Sequence, residues 1–217
     1  MSDSQCQDKF YSLGEEIANS ITHGLGVLLS CGGLTILIVF ASLYASAWQI
    51  VSVSIFGATM VMLFLSSTFY HALTKPKHKK IFRIIDHAAI FLLIAGTYTP
   101  LMLNIRGGVG WSVFGVVWGL AIIGVIMKVF WLDKFAKTSV FLYVCMGWLC
   151  IFTFKQLFPM MPTSSIVFLL SGGVVYTLGV VFYLWEKLPY NHAIWHLFVL
   201  GGSTLHFFSM LFLCLAS

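Results

Sequence analysis

Charged side chains are missing from most of this chain, and they are missing in long uninterrupted blocks. Residues 24–74 (51 residues), 87–105 (19), 107–127 (21), 138–154 (17), 156–185 (30) and 188–217 (30) contain no Asp, Glu, Lys or Arg. A helix that crosses a bilayer needs roughly 20 predominantly apolar residues. The longest block therefore holds two crossings, separated by a polar break near residues 46–49. The blocks predict seven helices, at about 21–43, 48–72, 82–104, 111–131, 138–157, 164–185 and 192–214. Helices are the expected element because backbone polar groups in lipid must be satisfied within the segment itself. The alternating pattern of a transmembrane β-barrel is absent. The fold class is an all-α integral membrane protein, a seven-helix bundle. Residues 1–20 read as a short N-terminal segment and residues 21–217 as a single transmembrane domain.

Composition removes the soluble alternatives. Only 9% of the residues are charged and 59% are hydrophobic, against about 25% charged in a soluble domain. A net charge of +5 is spread too thinly for a nucleic-acid face. The aromatic residues, including Trp48, Trp111, Trp131, Trp185 and Tyr190, flank the span ends as an interfacial belt. No basic segment leads into an apolar core at the N-terminus, so no cleaved signal is expected. Five cysteines without a C-x-x-C pair give no disulfide framework and no thiol-rich zinc site. Cys31, Cys145, Cys150 and Cys214 fall in apolar segments and Cys6 before the first span; they read as small packing residues. The pairs Gly32-Gly33, Gly107-Gly108, Gly172-Gly173 and Gly201-Gly202 fit close helix packing or turns.

The few charges are placed asymmetrically. With seven alternating spans, Lys9, Lys75, Lys77, Lys79, Lys80, Arg83, Lys128, Lys134, Lys137 and Lys187 share one side, and Arg106 and Lys155 the other. Positive residues are retained on the cytoplasmic side, so the N-terminus is expected inside and the C-terminus outside.

Ionisable residues within spans are functional hypotheses. They are His23, His71, Asp86, His87, His192, His196 and His206. All but His206 fall near the cytoplasmic boundary in this topology. His192 and His196, at i and i+4, share a helix face and can grip one metal ion. The segment lacks the glutamate of the H-E-x-x-H metalloproteases. With His71 at the same depth, three histidines and a water would form an open zinc site, or Asp86 would complete a closed one. A haem held by His71 and His192 is a rival that leaves His196 surplus. Asp86 itself has two readings: holding or deprotonating a metal-bound water, or anchoring Arg83 one turn away. Ser67, four residues before His71, shares its face. Glu16, Asn19 and His23 follow helical spacing toward the same cluster. His87, about 100° around the helix from Asp86, points elsewhere, and His206 reads as a helix-packing residue.

Four segments together resemble the bacterial hemolysin III proteins, within the progestin and adipoQ receptor family. They are Glu16-Ile-Ala-Asn19-Ser-Ile-Thr22-His23-Gly24, Ser67-Thr-Phe-Tyr-His71, Asp86-His87-Ala-Ala-Ile90 with Gly96-Thr-Tyr-Thr-Pro100, and Asn191-His192-Ala-Ile-Trp-His196. The resemblance implies a seven-helix fold with the N-terminus inside and a multi-pass location in the bacterial plasma membrane. By motif match, it implies that His71, His192 and His196 hold zinc and that Asp86 contacts the zinc-bound water, with Ser67 beside them. The adiponectin receptor branch resembles alkaline ceramidases, so the resemblance also implies hydrolysis of a lipid amide or ester in membrane-lipid homeostasis. The chain lacks the long N-terminal domain of the animal receptors, and no protein ligand is expected. The expected partner is a membrane lipid or fatty-acyl substrate.

In the hydrolase reading, zinc activates water and polarises the carbonyl, and Asp86 carries the proton to the leaving group. The alternatives are a non-enzymatic membrane sensor with zinc clamping helices 2, 3 and 7, and a lytic or pore-forming protein. The spans show no continuous polar stripe to support a pore.

Overall fold

The computed structural model describes residues 11–105 and 107–216. Cys6, Lys9 and Arg106, which enter the readings above, lie outside the described residues. Among the described residues the chain is helical, without strands, and seven helices are long and apolar enough to cross a membrane. They are α1 (Leu13–Tyr44), α2 (Ala47–Ala72), α3 (Pro76–Ile105), α4 (Gly107–Trp131), α5 (Ala136–Met160), α6 (Thr163–Leu184) and α7 (Asn191–Leu215).

The first helix starts at Leu13 rather than near residue 21. Ser12 caps it by accepting from the Glu15 backbone N–H, and the Glu15 carboxylate returns a bond to the Ser12 N–H at 2.9 Å. This reciprocal box satisfies two orphan donors and carries the helix two turns beyond the apolar run. Glu16 and Asn19 are thereby helical. Asn19, His23, Gly26, Ser30, Gly33, Leu37 and Ala41 form one buried stripe at the three-and-four spacing of a single helix face. Leu25, Leu28, Leu29, Val39 and Leu43 on the other faces are exposed, as lipid-facing side chains would be.

Helix α3 likewise begins earlier than the apolar run, at Pro76, where the missing N–H of proline costs nothing. Pro100 lies inside α3. The turn from α3 to α4 is tight, and Gly107 takes φ +70° there, a conformation that favours glycine.

Successive helices from α1 to α4 pack as neighbours, α6 packs on α7, and α7 returns against α1. Close approach relies on small residues. Gly26 lies against Phe64, Gly57 against Leu34, Gly179 against Trp195 and Phe198, and Gly202 against Tyr176. Helices α1 and α7 run in the same direction, with Glu15 Oε1 accepting from Tyr190 N–H (3.3 Å) at their starts. Tyr190 occupies the left-handed region (φ 56°), an unusual conformation for a bulky residue.

Helix α5 is the irregular member. It is α-helical over Ala136–Gly147, then continues through 3-10 turns at Leu149–Thr153 and Phe158–Met160 around a short α-turn, Phe154–Leu157. At the Gly147–Cys150 break a side chain from α3 intervenes. The Tyr98 hydroxyl donates to the Gly147 carbonyl (3.0 Å) and accepts from the Cys150 N–H (2.7 Å). It enters the i→i−4 ladder, a recognised origin of helix breaks. The freed backbone groups are satisfied inside the protein, as the bilayer demands.

Between α3, α5, α6 and α7 the bundle holds a partly open cavity of about 140 Å³. On the α3 side its wall runs from Asp86 and His87 through Ile90, Leu93, Ile94, Thr97 and Tyr98 to Leu101. That span is about 22 Å at 1.5 Å per residue.

Candidate metal centre

At the end of the bundle where α1, α3 and α7 begin, three histidines meet. His71 comes from the last turn of α2, and His192 and His196 from the first turns of α7. All three are buried, and one ligand atom from each lies within 4.8 Å of the others. The i, i+4 spacing places the α7 pair with ring centroids 4.5 Å apart, and the His71 ring is 5.1 and 5.2 Å from them. Three buried histidines are thus close enough to hold one metal ion.

The surrounding bonds set the tautomers such a site needs. His71 Nδ1 lies 2.7 Å from Glu16 Oε2. Because a carboxylate only accepts, Nδ1–H donates to it and Nε2 keeps its lone pair. His71 Nε2 is buried with no hydrogen-bond partner among the described residues, a costly arrangement that a bound cation would relieve. Glu16 is itself held by Lys79, whose Nζ is 2.8 Å from Oε1 and also donates to the Tyr70 carbonyl (3.0 Å). His196 Nδ1 donates to the Asn19 carbonyl (3.2 Å), which again leaves Nε2 as the lone-pair nitrogen. The carboxylate behind His71 and the carbonyl behind His196 are the usual outer supports of a metal-ligating imidazole. The three imidazoles could therefore hold one metal ion, with the lone-pair nitrogens of His71 and His196 set by these bonds.

The accessory residues fall around this cluster. Asn19 Nδ2 is 3.4 Å from His71 Nδ1. His23 stacks face to face on His196, with centroids 3.5 Å apart and planes 11° apart, and neither of its nitrogens has a partner among the described residues. Asp86 is buried in the cavity wall with His23, His192 and His196, but it lies outside the tight three-histidine group. Ser67 stands beside the Asp86 carboxyl, and its fully buried hydroxyl has no partner in good hydrogen-bonding geometry. Arg83 is paired with Asp133 at 2.6 Å. His87 turns its Nδ1 to the Arg83 carbonyl (2.8 Å). His206 lies deeper, with Nε2 3.2 Å from the Leu169 carbonyl.

Sequence reasoning missed two members of the site. Lys79 reads in the sequence only as one of a run of loop charges. Its position nine residues after Tyr70, at the start of α3, is what brings it onto Glu16. Tyr11 precedes the helix cap with nothing to mark it, yet its ring lies 5.0 Å from His192 and 5.8 Å from His71. Burial, helped by neighbouring phenols and carboxylates, pushes the Tyr11 hydroxyl well above its usual range, so it stays protonated.

The same sequence matches the family profile described as haemolysin-III related over residues 11–207. It is 49% identical over 205 residues to the Hemolysin-3 homolog of Bacillus subtilis (strain 168), covering 94% of this chain and 96% of that protein. It is 50% identical over 199 residues to Hemolysin-3 of Bacillus cereus, covering 91% of each. A more distant likeness, 29% over 204 residues, covers 90% of this chain and 83% of the monocyte to macrophage differentiation factor of Homo sapiens. A seven-span bundle, a buried trio of histidines and these matches along nearly the whole length lead to one assignment: the chain belongs to the haemolysin-III-related family.

Proposed function

We propose that this protein is a zinc-dependent hydrolase that cleaves the acyl amide or ester bond of a membrane lipid at the cytoplasmic boundary of the plasma membrane. One observation carries the reading. Three buried histidines converge within 4.8 Å, while a buried carboxyl, Asp86, stands outside that group on the wall of the adjoining apolar cavity.

His71, His192 and His196 would hold the metal through nitrogens oriented by Glu16 and the Asn19 carbonyl. Zinc so held supplies a Lewis acid for the carbonyl and a nucleophile at neutral pH. The cavity receives the acyl chain. Asp86 takes the proton of the attacking water and returns it to the leaving nitrogen or oxygen, the work of a general acid–base pair in one residue. Ser67, beside the Asp86 carboxyl, would turn its hydroxyl onto it. The bacterial relatives are named for haemolysis. In this reading lysis follows from release of single-chain products, which are detergents, rather than from a pore.

The test is metal content and lipid turnover on detergent-purified protein. We expect about one zinc per chain, lost in a His192→Ala/His196→Ala variant. We also expect Asp86→Asn to retain zinc while losing at least a hundredfold in turnover. Zinc present without turnover on any acyl lipid would instead make the metal a structural clamp. Absence of metal from the unmutated protein, purified without chelators, would end the proposal.

A further inference from the structure

The cavity has a cation in its wall that the hydrolase reading does not use. Lys128 lies in the last turn of α4. A lysine there ordinarily extends to the head groups and keeps its ammonium in water. Here it is 2% exposed and contributes to the same cavity as Asp86, His87, Tyr143 and Tyr183. No hydrogen bond or ion pair holds it among the described residues. The acidic group that acts on it is Asp133, and Asp133 is already bridged to Arg83 at 2.6 Å. The carboxylate in the cavity wall, Asp86, sits on α3 and does not pair with it. An ammonium whose nearest carboxylate is already bridged to Arg83 is costly to bury in a low-dielectric site, and within a membrane segment its further partner is the question to ask.

The rest of the wall describes that partner. Below the polar rim the lining is mostly apolar, with Ile90, Ile94, Leu101, Val144, Leu169 and Val199, interrupted by Thr97, Thr177 and His206. Its depth of about 22 Å along α3 exceeds the roughly 15 Å that an acyl chain covers in one leaflet, half of the hydrocarbon core. The three-histidine cluster borders this rim from the α1–α7 side, and Lys128 borders it from the α4 side. We propose that Lys128 binds the anionic head group of a single-chain amphiphile whose acyl chain fills the cavity. The ligand class is an acyl chain ending in a carboxylate or a phosphate. This rests on the cavity being the lipid site. It makes the substrate an anionic lipid, or the retained species a fatty-acid product.

Trp148 and Trp195 line the cavity, so brominated acyl chains report binding by quenching their fluorescence, with no turnover required. The probes are dibrominated stearate, the lysophosphatidate carrying the same chain, and the neutral monoacylglycerol carrying it. They are titrated into chelator-treated protein in neutral detergent. Measuring binding without metal separates failure of this inference from failure of the hydrolase proposal.

We expect at least one anionic probe to bind about tenfold or more tightly than the neutral one, as for a hydrogen bond to a charged group. Lys128→Gln should erase that preference while leaving monoacylglycerol binding unchanged, and Lys128→Arg should preserve it. The stronger of stearate and lysophosphatidate names the head group. Equal binding of charged and neutral probes to the unmutated protein overturns the proposal without recourse to a variant. So does a preference that survives in Lys128→Gln.

Discussion

At the scale of single residues, the site is a chain of supports rather than three ligands. Lys79 holds one oxygen of Glu16 at 2.8 Å and His71 Nδ1 holds the other at 2.7 Å. The charge on Glu16 therefore raises the electron density available at His71 Nε2, and the bond fixes the ring. Removing such a support costs about 10–100-fold in metal affinity. Glu16→Ala is expected to weaken zinc binding by that factor in a chelator competition, with His71, His192 and His196 intact. Glu16→Gln, which can still accept from Nδ1–H, should lose less. Lys79→Met should lose least, because its side chain is 29% exposed and solvated ion pairs contribute little. An unchanged affinity in Glu16→Ala would show that His71 orients itself.

At the scale of elements, α5 tests whether one hydroxyl reshapes a helix. Tyr98→Phe deletes the group that serves both the Gly147 carbonyl and the Cys150 N–H. Each orphaned backbone group costs about 1–3 kcal/mol. The variant is expected to melt lower in detergent and to exchange the Cys150 amide proton faster. If that amide becomes better protected, α5 has closed into a regular helix, and Tyr98 alone was holding it open. The break could not be read from the sequence, since Tyr98 and Cys150 are 52 positions apart and α5 carries no proline near it. The spans themselves were legible, because lipid demands long uncharged runs. Their ends were not. Helix α1 begins through Glu15 and Glu16, and α3 through Lys77, Lys79, Lys80 and Arg83, where counting uncharged residues stops although the helix continues. The histidine trio was legible because i, i+4 spacing and shared depth are both one-dimensional facts. The burial of Lys128 was not, because a lysine at a span end reads as a topology marker.

At the scale of the whole molecule, the charges of the described residues divide between the two ends of the bundle. The loops joining α2 to α3, α4 to α5 and α6 to α7 are at the same end as the histidines, and Lys155 is at the other. The positive-inside rule then sets the expected orientation. Alkaline phosphatase fused after Leu215 should be active outside the cytoplasm, and a fluorescent protein fused there should stay dark. The opposite pattern would invert the molecule and move the site to the outer leaflet. That site has a further property. His196 is bonded to Asn19 and lies against Thr22, residues 177 and 174 positions earlier in the chain. Helix α1 must therefore wait for α7. No nascent chain short of α7 contains the pocket, and losing the final span alone would leave His71 and Glu16 joined to each other but facing no partner. The centre is completed only when α7 is in place, so a metal ion that joins α2 to α7 would also act as a seal on the inserted seven-helix bundle.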